Sequence, residues 1–345
     1  MLGNRRVLLL TDGHLGVFTS KTATCILRYR PREVVALLDR TEAGRDPADI
    51  IGVGRGIPIV GSIAEAMRYQ PHSLLIGIAP AGGGLPDDWR QFIHEAIDRQ
   101  LDIISGLHLM LADDPEFARL ALAHGVTIHD VRRPPEGIPL GANIARTLPC
   151  TRVLTVGADC AIGKMAVALE LAEALLRRGR RARFIATGQT GIMISGYGIA
   201  VDRVVSDFVP GAVEMMLVEN KHHEVLVVEG QGSLIEPAYS GVTLGLMHGC
   251  APHAMVFCHQ PTRKHLRHHP EVPILPLPEF IELYERLMAP VFPSKVIGVA
   301  LNCVDMSDAA ARDAIARAEA ETGLPATDVI RFGPDKLAEA IEAML

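Results

Sequence analysis

Residues 153–167, VLTVGADCAIGKMAV, set a glycine and a Gly-Lys pair between an apolar run and a helical pattern. That order can hold a phosphate. Successive backbone N–H groups converge on the anion, glycines permit close approach, the following helix presents its positive end, and a lysine adds a full charge. Gly157, Cys160, Ala161, Ile162, Gly163, Lys164 and Met165 are the candidate contacts. Two departures from the common loop stand out: five residues separate Gly157 from Gly163, and Met165 replaces the Ser or Thr whose hydroxyl would serve magnesium. Asp159 and Glu229 remain possible oxygen ligands, but a missing hydroxyl argues against cleavage at a γ-phosphate. Binding survives the change, because a helix end contributes up to ~2 kcal/mol and each charge-assisted hydrogen bond about 1.5–3 kcal/mol. A carrier whose phosphates are only handles, such as coenzyme A, fits this loop better than a nucleotide to be cleaved. No essential metal is expected.

The elements that must position the loop alternate strand with helix. TRVLTVG (151–157), RARFIATG (181–188), EVLVVEG (224–230), HAMVFC (253–258) and KVIGVALN (295–302) read as strands. KMAVALELAEALLRRG, AAARDAIARAEAETG and DKLAEAIEAML read as helices. The first half alternates likewise, with strands at RVLLL (6–10), EVVALLD (33–39), SLLIGIAP (73–80) and LDIISG (101–106). Helical patterns there run through KTATCILRY, IAEAMRYQ, DDWRQFIHEAIDRQ and FARLALAHG. Both halves therefore predict parallel sheets covered by helices on two faces. Between them RRPPEGIPLGANIARTLPC (132–150) breaks every period with four prolines and two glycines. The expected division is a Rossmann-like domain over 1–135, a linker over 136–150, and a P-loop NTPase-like, doubly wound α/β domain over 151–345.

The form G-x-D-x-x-x-G-K resembles dethiobiotin synthetase and the cobyrinic acid synthases. The resemblance extends to VVEGQGS (227–233), a strand ending in acid-Gly-x-Gly, and to GVALNC (298–303), a strand ending in Asn. It implies that the acid, Glu229, serves a metal and that Asn302 reads a nucleotide base. An ATP- and magnesium-dependent ligase or kinase of that type is the rival reading. Longer stretches, at 74–90, 186–219 and 227–263, resemble the bacterial D-glutamate N-acetyltransferases, formerly a family of unknown function. That resemblance runs over nearly the whole chain. It implies transfer of acetyl from acetyl-CoA to the amine of D-glutamate or a related D-amino acid, at the start of D-amino-acid catabolism.

Such a transfer needs a base for the ammonium and a donor for the developing oxyanion. Asp159 and Glu229, at adjacent strand ends, are candidates for the base, and bracing of loop amides is the alternative for each. Asp207 and Asp202, in VDRVVSDF, could close over a substrate or sit as solvated turn residues. Gln189 and Gln231, beside glycines, are neutral donors suited to an oxyanion. Cys160, near a helix N-terminus, allows an acetyl-cysteine intermediate or is simply a small loop residue. Arg263 and Lys264, and from the first domain Lys21 and Arg90, are candidate cations for substrate carboxylates. KHLRHHP (264–270) and KHH (221–223) lack zinc-ligand spacing and read as polar loops. The first half has no G-x-G-x-x-G; DGHLG (12–16) is a poor substitute and Asp39 a weak ribose cue. A degenerate Rossmann domain that shapes a pocket or an oligomer contact is expected, with AGGG (81–84) a candidate for the pocket wall.

Bulk properties narrow the classes. A net charge of −6 disfavours nucleic acid or an anionic membrane as partner. Six scattered cysteines read as free thiols in a reducing compartment. The apolar run in MLGNRRVLLLTDGHLG is too short for a signal peptide, and no run is long enough to span a bilayer. A cytoplasmic homo-oligomer acting on small molecules is expected. Because Met165 offers magnesium nothing, a chelator should leave turnover nearly intact; complete loss of activity with EDTA, restored by magnesium, would refute this reading of the loop.

Overall fold

The computed structural model describes residues 5–17, 19–80 and 83–345. Ala81 and Gly82 of the AGGG stretch fall outside them. Contacts divide the chain into two units: one takes residues up to Arg133 together with Ile192–Arg203, the other Pro134–Gly191 and Val204–Leu345.

The first unit holds six strands: β1 (Val7–Leu10), β2 (Val34–Leu38), β3 (Ile59–Val60), β4 (Ser73–Ile76), β5 (Asp102–Ser105) and β6 (Ile128–Asp130). All pair in parallel, in the order β3-β2-β1-β4-β5-β6. The four residues of β1 are completely buried, as a central strand covered on both faces must be. Helices close with the signals their sequences carry. Asp114 caps the helix Pro115–His124 by accepting from the amides of Glu116 and Phe117, and Gly125 ends it in the left-handed region. This is the strand order of a dinucleotide fold, yet Asp39 is buried and accepts from Thr11 Oγ1, the amides of Gly13 and Thr41, and Thr41 Oγ1. Its carboxylate holds a turn together. The returning segment is fastened inside this unit: Arg30 Nε donates to the Ile194 carbonyl at 2.7 Å, and the Arg132 guanidinium pairs with Asp202.

The second unit holds β7 (Thr151–Gly157), β8 (Ala182–Ile185), β9 (Val225–Val228), β10 (Ala254–His259), β11 (Lys295–Leu301) and β12 (Ala326–Thr327), again parallel, in the order β12-β11-β10-β7-β9-β8. The chain leaves β7 toward β8 and leaves β10 toward β11. Their neighbouring carboxyl ends therefore form the crevice where ligands bind in such sheets. Two doubly wound α/β units, as the alternation predicts, are what the chain forms. The proline-rich residues 136–150 lie against the helix Val209–Asn220: Glu214 accepts from the amides of Ala142 and Ile144 at 2.8 and 2.9 Å.

β9 passes so close to β7 that Gly230, just beyond it, has no room for a side chain. A Cβ there would stand 1.6 Å from the Thr155 carbonyl oxygen. Gly230→Ala should destabilise the second unit by more than the 1–3 kcal/mol typical of overpacking, read as a lower denaturation midpoint or loss of soluble protein. A variant that unfolds with the wild type would contradict this packing.

Candidate phosphate-binding site

The loop between β7 and the helix Lys164–Arg177 is shaped by two residues with positive φ, Ala161 at 53° and Gly163 at 107°. Alternation of hand turns successive amides toward one side, which makes an anion nest. Among the described residues nothing accepts from the amides of Ala161, Ile162 and Gly163, and no side chain caps the helix. Gly157 is equally constrained, since a Cβ would meet the Cys258 carbonyl and Ile162 Cδ1, each at 2.6 Å. Its own carbonyl accepts from the Tyr284 phenol at 2.9 Å. Lys164 is buried, and its Nζ donates to the Asp159 carbonyl at 2.7 Å. Met165 is buried in the core. Asn302, following β11, lies beside the cradle: its Nδ2 is 3.9 Å from where a Gly163 Cβ would stand.

The two carboxylates expected to act as bases are engaged as braces. Asp159 is fully buried; Oδ1 accepts from the Cys160 amide, and Oδ2 from Arg263 Nη1 at 2.7 Å and the Arg267 amide at 2.8 Å. Arg263 Nη1 also donates to the Cys160 carbonyl. Glu229 Oε2 accepts from the amides of Thr187 and Gly188. Both oxygens of Asp159 and Oε2 of Glu229 thus brace loop donors, the alternative that each residue carried. The same occupancy bears on magnesium. Both oxygens of Asp159 are turned to donors of the protein and Met165 has no hydroxyl, so neither residue offers an oxygen ligand to a hard cation.

The remaining candidates scatter. Gln231 Nε2 donates to Thr187 Oγ1 at 3.1 Å, beside Glu229. Gln189 is half-buried at the start of the helix Gln189–Ser195. Asp207 is exposed in the short turn Ser206–Phe208. Arg263, expected to meet a substrate carboxylate, clamps Asp159 instead. Arg90 likewise pairs within its own unit, with Asp114 at 2.8 Å and Glu116 at 2.6 Å, and lies over the Phe117 ring. Lys21 is exposed at the start of the helix Lys21–Tyr29 of the first unit. A cavity of about 310 Å³ opens beside the Arg263 clamp, lined among others by His259, Lys264, Leu301, Arg317 and Glu321. Burial, reinforced by the charges of Lys264 and Arg263, pushes the His259 imidazole down to about 4, so it is neutral near pH 7. Arg267 and Tyr284 escaped the sequence reading. The first contributes a backbone amide, and the second is one aromatic in an amphipathic helix (Leu277–Met288), so neither carries a motif.

Residues 139–338 match the P-loop domain of DUF1611, described as a domain of unknown function, and residues 40–134 match its Rossmann-like N-terminal domain. The chain belongs to the DUF1611 family. A DUF1611 protein from Anabaena variabilis, known from a crystal structure, shares 44% identity and a TM-score of 0.95, over 99% of this chain and 100% of its own. Two relatives named D-glutamate N-acetyltransferase are similar over most of their length. That of Tritonibacter scottomollicae is 36% identical over 82% of this chain and 85% of its own, and that of a Pseudoalteromonas species 35% over 80% and 83%. The family read from the motifs is thus borne out. Among the described residues no helix is long and apolar enough to cross a membrane.

Arg263→Ala would leave the Asp159 carboxylate buried without its cation. Loss of one partner of a buried pair typically costs 3–5 kcal/mol, so the variant should unfold at clearly lower denaturant. An unchanged midpoint would mean that the clamp does not organise the loop.

Proposed function

We propose that the protein is an acyltransferase that moves acetyl from acetyl-CoA to the amino group of D-glutamate or a related D-amino acid, as a homo-oligomer in the cytoplasm. The observation that carries the CoA assignment is the row of three amides, at Ala161, Ile162 and Gly163, that meet no acceptor among the described residues and are closed by Lys164 and followed by Met165. Such a cradle favours a diphosphate and gives a metal little to hold. Asn302, beside Gly163, takes the adenine. The names of the relatives support the transfer and its acceptor.

In the reaction the neutral amine attacks the thioester carbon, the C–S bond breaks with its electron pair passing to sulfur, and a proton from nitrogen reaches the sulfur. Starting from an ammonium, one further proton must leave per turnover. Lys264 and Arg317, exposed residues lining the cavity beside the loop, offer charges to an acceptor with two carboxylates.

Thiol release from acetyl-CoA against a panel of D- and L-amino acids tests the reading, with D-glutamate expected to react best. Lys164→Ala should raise the apparent constant for acetyl-CoA by about 10- to 100-fold, the equivalent of one charge-assisted hydrogen bond of about 1.5–3 kcal/mol. Unchanged CoA affinity would remove the loop from the donor site. Magnesium-dependent release of ADP from ATP would instead favour a ligase or kinase.

A further inference from the structure

The turn after β9 carries a carboxylate that the phosphate cradle does not use. Glu236, in GQGSLIEP, is completely buried, and neither of its oxygens has a hydrogen-bond donor among the described residues. A buried carboxylate is normally met by several donors, and one without them is costly to keep. One group stands near: His269 Nε2, 3.4 Å from Glu236 Oε1. The other ring nitrogen, Nδ1, is 3.2 Å from Glu271 Oε1. Side-chain exposure climbs along this row, from 0% at Glu236 through 30% at His269 to 68% at Glu271. The charged groups facing the imidazole are thus one carboxylate from the turn after β9 and one from its own loop.

Both ends of the pair are tied to the phosphate loop. Leu234, two residues before Glu236, donates its amide to the Tyr284 phenol, which in turn donates to the Gly157 carbonyl. Arg267, two residues before His269, donates its amide to Asp159. The row therefore lies at the carboxyl end of the sheet, on the same side as the phosphate loop.

The geometry points to Glu236–His269–Glu271 as the path by which the acceptor's ammonium proton leaves the site. This rests on the acetyl transfer proposed above. The ammonium gives one proton to the Glu236 carboxylate, and its nitrogen lone pair forms the bond to the acetyl carbon. The C–S bond breaks toward sulfur, which takes the second proton from nitrogen. The proton on Glu236 then passes to His269 Nε2 while the Nδ1 proton passes to Glu271 and on to water, restoring both carboxylates; before the next turnover the half-exposed imidazole exchanges protons with water and returns to its Nδ1–H tautomer. Glu271 is held below the ordinary carboxylate range by its own amide and by His269, so it releases a proton readily.

Three measurements test this. Glu236→Gln keeps the shape and removes the acceptor. Amine turnover should fall about 100-fold or more, the usual range for loss of a general base, with the apparent constant for acetyl-CoA unchanged. The melting temperature of Glu236→Gln should rise by about 2–4 °C, since the amide can donate to His269 where two buried oxygens met no donor. A fall would identify a structural ion pair and overturn the proposal, as would wild-type turnover. His269→Ala should be slow and regain at least part of its rate with added imidazole; no recovery would remove His269 from the path. Wild-type protein inert toward every amine would instead sink acetyl transfer itself, and the relay with it.

Discussion

One buried carboxylate, Asp159, holds together the two loops that make the phosphate cradle. Its oxygens take the Arg263 guanidinium and two backbone amides, and Arg263 in turn grips the Cys160 carbonyl. The clamp spans the carboxyl ends of β7 and β10, where the strand order reverses. Because the carboxylate is fully buried, its attraction to Arg263 is little screened, and losing either partner would strand a charge in the interior. Loop shape, Lys164 position and the row of open amides all follow from that constraint.

The constraint also fixes what the neighbouring carboxylates touch. Asp159 accepts three donors, and Glu229 Oε2 is engaged by the turn at Thr187 and Gly188. Asp159 and Glu236 differ in this respect: both are buried, but one is surrounded by donors and the other has none among the described residues.

The phosphate loop was legible in the sequence because its chemistry is local, with glycines, lysine and helix start within a dozen consecutive residues. The alternating elements were legible for the same reason, each apolar run being long enough to mark a covered parallel strand. What escaped depends on distance or on small size. Arg263 meets Asp159 across 104 positions, so its type suggested a ligand cation while its place made it a clamp. β3, β6 and β12 are only two or three residues long and leave no run to notice. The helices Val209–Asn220 and Ser240–Cys250 are apolar over much of their surface, which erases the one-sided stripe by which a helix is recognised. Glu236 looks like any polar residue in a glycine-rich turn, and only the fold reveals its burial.

The path of the chain between the two units bears on how the protein can be dissected. Ile192–Arg203 belongs with the first unit although it lies inside the sequence of the second, so the polypeptide passes between them at 133/134, 191/192 and 203/204. No single cut yields two complete halves. A fragment starting at Pro134 would carry Asp202 without Arg132 and Ile194 without Arg30, exposing a strip that had been inside. Severing the chain at the proline-rich stretch would therefore leave the first unit without one of its own segments.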